Sequence, residues 1–437
     1  MNMGRNIWKL VVVFIVASVG GTAMWGLSKL YDNVSGNRVN REIARIKASG
    51  APTTLADLKG APIPPEENAA VVYEKAFKLI RNPQAKKAAD SLSLFVSPRV
   101  HYDTVTVALA RALLKKYQAV FPIVQMAVAL DKCQFPISYD QRADNIEFRH
   151  LALMRRLATL YTAKAKIESL DGQQAEAVKS IAVIFGMIPH VKIGANLIGH
   201  LISYSDVSMG TRSLQNLIAE KPLSPGSILV LQKRLAAVDL YACEVSALEV
   251  ERVTGFSYYD LLMQDFRAEL VKEKEGGYDP LLPLGLRAVS GLHSFDQIYY
   301  LEWMQREIDT VKRRTVKWEP VPEGREPPSL PIYIVSSIFL PLASGFHQST
   351  DKGVSEIRGS QIALELMQYK HQHGEYPPSL SALGNSGEVV DACNGQAYHY
   401  KRVGNGYTLY SIGLDGKDDG GRKIVNGMGD IVWETPW

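Results

Sequence analysis

Apolar residues recur at helical spacing along most of the chain, from about residue 66 to about residue 315. Leu153, Leu157 and Leu160, for example, are separated by four and three positions, so they share one face of a helix. No segment recurs at the fixed period that a regular solenoid requires. The pattern therefore predicts a mostly α-helical domain over residues 66–315, built as an irregular bundle or a repeat-like array.

Turn and capping residues divide this helical region. Asn68 precedes the first apolar face, and Asp171-Gly172 separates two long faces, which predicts an αα-hairpin. Ser224-Pro225 places a capping residue before a proline at the first helical position, and the apolar pattern then runs on to Phe256. We therefore expect one long helix to follow Ser224.

A stretch rich in glycine and proline, from Glu273 to Gly291, predicts an interruption of the helical region. Beyond it, Ser294 and Gln297 have the spacing of a capping box, so we expect the last helix of the region to begin there. Residues 316–332 are dense in proline and mixed in charge, a composition typical of an interdomain linker.

The pattern changes after this linker. Leu364 and Met367 belong to another amphipathic helix, which Gly374 is expected to end. Two aromatic-rich segments with alternating polarity follow, "QAYHYKRV" and "GYTLYSI", and Gly404-Asn405-Gly406 between them signals a hairpin. A two-stranded hairpin alone is marginal in water, so we expect the helix to cover it. Residues 333–437 are therefore predicted to form an α+β domain with a small antiparallel sheet.

The N-terminal segment is uniformly apolar, with no charged residue between Leu10 and Ser28. A helix of that length rises about 1.5 Å per residue and spans about 28 Å, close to the thickness of a bilayer core. This predicts an uncleaved membrane anchor within residues 1–30, followed by a juxtamembrane linker over residues 31–65. The alternative is a cleaved signal peptide, although the segment is long for that class and no small-residue cleavage site follows it.

Composition excludes several classes of partner. The chain of 437 residues has 49 Lys and Arg against 45 Asp and Glu, and it carries no basic stripe with interleaved aromatics. We therefore expect no nucleic-acid partner. Cys133, Cys243 and Cys393 are far apart and lack C-x-x-C spacing, so the sequence indicates neither a disulfide framework nor a zinc site.

The sequence contains none of the phosphate-loop, nucleophile-elbow or H-E-x-x-H motifs, and we expect the protein not to be an enzyme. Glu244, Glu249 and Glu251 lie near Arg252 on one predicted helix. They form either an acid–base pair or, as we favour, ion pairs and exposed helix charges. His371 and His373 are two positions apart and therefore on different helix faces, which favours a solvated helix end over a metal site.

An acidic, glycine-rich loop precedes the last apolar segment, in "SIGLDGKDDGGRKIVNGMGDIVW". It brings Asp415, Asp418, Asp419 and Asp430 together among glycines that permit sharp turns. Carboxylates at close range repel one another unless a cation lies between them. From the residues alone, the loop is either a metal site or a solvated turn.

Residues from Pro341 onward resemble the major pseudopilin of type II secretion systems. The resemblance covers about a hundred residues and rests on an ordered series of short motifs. These are Ala363-Leu364, Tyr369, Gly374, Tyr376-Pro377, Leu380, Asp391, Gly395, Tyr398-His399-Tyr400, Leu409-Tyr410-Ser411-Ile412-Gly413, Asp415-Gly416 and Asp430-Ile431. The resemblance implies a long helix followed by a small antiparallel sheet.

The same resemblance implies calcium in the acidic loop, with Asp415, Asp430 and the main-chain carbonyl of Ile412 as ligands. Asp418 and Asp419 are additional carboxylates and therefore further candidate ligands. Calcium prefers six to eight oxygen ligands and tolerates irregular loops, which suits these residues. An acidic turn without metal remains the alternative.

These observations predict a single-pass protein of the bacterial inner membrane, with the bulk of the chain extracytoplasmic. We expect the membrane to be one partner, through the N-terminal helix, and a protein bound by the helical domain to be another. One alternative is a component of a type II secretion or pilus-like assembly. The other is an enzyme with an unrecognised site in the helical domain.

Overall fold

A computed structural model describes residues 36–97, 104–192, 196–276, 282–320, 336–337, 340, 346–422 and 429–436. The predicted anchor at residues 1–30 lies outside this set. Within the described ranges, the helices are too short or too polar to cross a bilayer.

The described chain is mostly helical and ends in three strands, which confirms the predicted fold class at this level. The first helix, α1, covers residues 36–48. The next are α2 (Ala69–Ile80), α3 (Pro83–Val96), α4 (Thr104–Lys116), α5 (Val120–Ala127), α6 (Arg149–Leu170) and α7 (Gln174–Lys192). They are followed by α8 (Leu197–Glu220), α9 (Pro225–Ala236), α10 (Leu240–Gly276), α11 (Leu282–Arg314) and α12 (Phe346–His373). The strands are β1 (His399–Val403), β2 (Gly406–Ser411) and β3 (Ile431–Thr435).

Several predicted helix boundaries are confirmed. The side chain of Asn68 accepts a hydrogen bond from the amide of Ala70 and caps α2. Helices α6 and α7 form the predicted hairpin, and Gly172 between them has φ +70°, a value that favours glycine. Ser224 caps α9 through the amide of Ser227.

Two predicted boundaries are wrong. The helix that follows Ser224 ends at Ala236, and α10 begins a few residues later. There, the carboxylate of Asp239 accepts a hydrogen bond from the amide of Ala242 at 2.9 Å, which begins a new helix. Helix α11 begins at Leu282 rather than at Ser294. Pro283 is tolerated because it lies in the first turn, where an amide has no intrahelical partner.

Helix α1 lies within the segment that the sequence analysis described only as a linker. Its Val39 and Ile46 are buried, and Ile43 packs partly buried beside the same core. The three residues have the spacing of one helix face, so the signal for this helix is present in the sequence.

The sheet is antiparallel, with the strand order β1-β2-β3. Gly404 and Asn405 form the two-residue turn of the predicted hairpin, and Gly404 has φ +56°. Leu409 of the central strand pairs with Tyr400 on one side and with Trp433 on the other. Helix α12 packs against β2 and β3, so the helix covers the sheet as expected.

Two hydrophobic clusters form the interior of the described chain. The smaller cluster joins α2 to α6 with parts of α7 and α8. The larger cluster includes Leu240 of α10, Leu364 of α12 and Trp433 of β3. Helix α12 lies against α8, α9 and α10, and β3 also contacts α8. The residues on either side of the predicted linker at 316–332 therefore share one core.

Candidate functional site

The acidic loop, residues 412–430, connects β2 to β3. Its described residues are 412–422 and 429–430. Gly413 has φ +68°, and a Cβ atom added there would meet the carbonyl oxygen of Gly429 at 2.6 Å. Glycine is therefore required for the two ends of the loop to approach each other.

Asp430 holds this loop together through its carboxylate. One oxygen accepts a hydrogen bond from the amide of Gly421 at 2.7 Å, and the other accepts a longer one, at 3.4 Å, from the amide of Asp419. The side chain is buried, with 7% of its surface exposed. The structure thus brings Asp430 and Asp419, two of the predicted ligands, into contact.

Asp415 and Asp418 form local turns instead. Oδ1 of Asp415 accepts a hydrogen bond from the amide of Lys417 at 3.2 Å, and Oδ1 of Asp418 accepts one from the amide of Gly420 at 2.8 Å. The Gly420 amide lowers the pKa of Asp418. Oδ2 of Asp418 also lies 3.8 Å from His399 Nδ1.

The donor atoms of the acidic loop suit calcium, because they are carboxylate and carbonyl oxygens. The arrangement of these donor atoms does not form a complete set of metal ligands among the described residues. Among the residues that the structure describes, no three Asp, Glu, His or Cys side chains are grouped so that they could hold a metal ion. Residues 423–428 of the loop lie outside the described set. A calcium site formed by Asp415, Asp430, Asp418, Asp419 and the carbonyl of Ile412 therefore stays a prediction.

The glutamates of α10 have separate partners. Glu249 forms an ion pair with Lys312 of α11, with 3.4 Å between the charged atoms, as expected. Glu251 does not fit the expectation of an ion pair or an exposed charge. Its carboxylate accepts a hydrogen bond from the amide of Leu197, and burial raises its pKa. Arg252 is buried and donates to the carbonyl of Pro52 at 3.0 Å.

Glu244 belongs to a buried polar cluster that the sequence analysis missed. We call it the His347 cluster; its members are Glu244 of α10, Glu307 of α11, His200 of α8, and His347 and Thr350 of α12. Ring atom Nδ1 of His347 lies 2.7 Å from Glu244 Oε1, and Nε2 lies 2.6 Å from Glu307 Oε2. His347 and Glu244 are fully buried, and Glu307 is partly exposed.

This geometry favours a charged imidazole. A neutral imidazole has one N–H, whereas two carboxylates accept hydrogen bonds from opposite sides of the His347 ring. Burial by itself lowers the pKa of His347, but Glu244 and Glu307 outweigh burial and raise it to about 10. The imidazolium in turn keeps the pKa of Glu244 below its ordinary value in spite of burial.

The cluster also contains polar atoms without partners among the described residues. Nε2 of His200 lies 2.7 Å from the hydroxyl of Thr350, while its Nδ1 has no hydrogen-bond partner. Oε2 of Glu244 has none either. Burial lowers the pKa of His200, which favours a neutral ring.

A second buried ion pair lies one turn further along α12. Asp351 pairs with Arg314 of α11 at 2.7 Å, and both side chains are almost completely buried. The hydroxyl of Tyr241 of α10 also donates to Asp351, at 3.2 Å. Glu356 lies further along α12, on the opposite side from His347, and accepts hydrogen bonds from Ser208 and Thr211 of α8. The first turns of α12 therefore bury polar side chains against α8, α10 and α11 from more than one side.

His371 and His373 lie at the exposed end of α12, as predicted. Nε2 of His371 lies 2.8 Å from the carbonyl oxygen of Leu223, and Nδ1 of His373 lies 3.0 Å from that of Tyr369. The two rings therefore have different partners.

Comparison of the chain with protein-family models, with curated proteins and with solved structures gives no match.

Proposed function

We propose that this chain is a membrane-anchored, non-enzymatic protein of the bacterial envelope. In this proposal, residues 1–30 anchor it in the inner membrane and the helical region is a scaffold that binds a protein partner. The C-terminal unit of α12 and the sheet is a pseudopilin-like module stabilised by calcium.

One observation carries the proposal: the acidic loop connects β2 to β3 in a small antiparallel sheet that is covered by a long helix. This arrangement agrees with what the resemblance to pseudopilins implies. Asp430 lies at the start of β3 with its carboxylate turned into the loop, where it accepts from two loop amides. A cation bound there would connect the loop directly to the sheet.

The packing of α12 supports the scaffold role. Helices α8, α9 and α10 contact α12 along its length, so the helical region fixes the position of the C-terminal unit. A rigid attachment of this kind suits a protein that holds a module at a set distance from the membrane. The anchor rests on the sequence pattern from Leu10 to Ser28.

Calcium binding is tested by thermal unfolding of the full-length protein in detergent, with calcium and after its removal by a chelator. A ligand that binds only the folded state at about one hundred times its Kd stabilises that state by about 2.7 kcal/mol. For a chain of this size, we expect the Tm to rise by several degrees. Asp415→Asn and Asp430→Asn should each abolish most of that rise.

Asp140→Asn is the matched control, because Asp140 is an exposed aspartate outside the acidic loop. It should leave the calcium-dependent rise unchanged. An unchanged Tm of the wild-type protein at millimolar calcium would overturn the calcium site. Since Asp430 also closes the loop, Asp415→Asn is the more specific variant.

A further inference from the structure

The first three turns of α12 pack on the helical region through several polar side chains, alongside apolar contacts of Phe346 and Val354. His347, Thr350 and Asp351 lie on one face of α12, and Glu356 lies on the opposite side from His347; all four are buried. Their partners come from α8, α10 and α11, as described above. Buried polar groups cost free energy when they lose a partner, so this interface depends on the protonation state of its members.

His347 is the member on which the others depend. Its ring lies between Glu244 and Glu307, which approach it from two different helices. When the ring loses its proton, one of the two hydrogen bonds is lost and a ring lone pair faces a carboxylate. Both carboxylates then lose their counter-charge, and Glu244 has no exposed surface from which to recover hydration.

We infer that residues 346–356 form a proton-operated joint between the helical region and the C-terminal unit. While His347 is charged the joint is closed, which means that residues 346–356 stay packed on α8, α10 and α11. When His347 is neutral the joint opens, and these residues separate from the three helices. The rest of the protein, in particular the smaller core around α2, stays folded when the joint opens.

The charged and titratable side chains around His347 do not themselves open the joint as the pH rises. Glu244 faces His347 from α10, Glu307 from α11 and His200 from α8, and His200 is kept neutral by its burial. Among the residues that the structure describes, Arg314 and Asp351 also lie nearby, and they neutralise each other in a direct ion pair. Loss of the His347 proton is therefore the step that leaves buried charge uncompensated.

The sign of the pH dependence follows from the raised pKa of His347. Its stabilising contribution is complete below the ordinary value of 6.5 and is lost as the pH rises through about 10. The joint is therefore expected to open at alkaline pH. Any change that weakens the two carboxylate contacts should lower the half-point, which is the pH at which half of the molecules have an open joint.

Pulsed hydrogen exchange of the full-length protein, read by mass spectrometry at pH 7 to 10 and corrected for intrinsic rates, tests the joint. In the wild type, protection of residues 346–356 should fall towards pH 10, while α2 (69–80) stays protected. Glu307→Gln removes one of the charges that favour the imidazolium, so the half-point should move down by about one to three pH units.

Glu302→Gln is the matched control, because Glu302 lies on the same helix in an exposed ion pair with Arg38. It should behave as the wild type does. His347→Gln should remove the pH dependence of residues 346–356; if that variant does not fold, Glu307→Gln alone decides, since Glu307 is partly exposed. The inference is overturned if protection of residues 346–356 is equal in the wild type and Glu307→Gln at every pH, or if α2 opens together with them.

Discussion

The indole ring of Trp433 lies directly against Gly359 of α12, in the space that a Cβ atom at Gly359 would occupy. The ring is fully buried, and its Nε1 donates a hydrogen bond to the hydroxyl of Ser360 at 3.1 Å. This contact joins β3, and with it the end of the acidic loop, to the helix behind the sheet. A fully buried ring in a close-packed interior has little freedom to move away.

Gly359→Ala should therefore lower the free energy of unfolding by about 1–3 kcal/mol, the usual cost of overpacking a well-filled core. Denaturant titration against the wild type measures this loss. Gly226→Ala is the control, because Gly226 is also helical but has no atom within 4 Å of the added Cβ. That variant should be neutral or slightly stabilising. Equal losses in the two variants would contradict the packing argument.

The buried pair of Arg314 and Asp351 yields a second prediction. Arg314→Met leaves the Asp351 carboxylate buried without its counter-charge, and we expect a loss of about 3–5 kcal/mol. The exposed pair of Arg81 and Glu74 is the control, since its loss through Arg81→Met should cost at most about 1 kcal/mol.

The double variant Arg314→Met with Asp351→Leu should recover part of this loss, because an apolar pair replaces an unpaired charge. Urea unfolding of the two single variants and the double variant measures the recovery. A double variant as unstable as Arg314→Met alone would show that the uncompensated charge of Asp351 is not the cause.

Much of the fold could be predicted because local signals and packing agree. Asn68, Gly172 and Gly404 each have a conformational or capping role that depends on nearby residues, and each lies where the sequence places it. The predicted start of α11 is wrong because two local signals compete there. Ser294 and Gln297 satisfy a capping pattern, but Pro283 suits the first turn of a helix and lies at the observed start.

The His347 cluster could not be found in this way. His347, Thr350 and Asp351 have the spacing of one helix face, and a polar face normally indicates solvent. Their partners are far away in the chain: Glu244 is separated from His347 by 103 positions and His200 from Thr350 by 150. Only tertiary packing decides whether a polar face meets water or another polar face.

A third prediction concerns Asp206 of α8, whose side chain is fully buried and has no hydrogen-bond partner for either oxygen among the described residues. Burial raises the pKa of Asp206 well above its ordinary value of 3.8. At pH values between the two, the folded protein therefore holds a proton that the unfolded chain has released. The free energy of unfolding is therefore expected to fall as the pH rises above 3.8, until the raised pKa is reached.

Asp206→Asn replaces this carboxyl group with a neutral one of the same shape and removes the titration. The Tm of the variant minus that of the wild type should accordingly be higher at pH 7 than at pH 4.5. Thermal unfolding scans of both proteins at the two pH values measure this difference. Asp90→Asn, at an exposed position on α3, is the control and should show no such difference. If Asp206→Asn changes the Tm by the same amount at both pH values, the pKa of Asp206 is not raised in the folded protein.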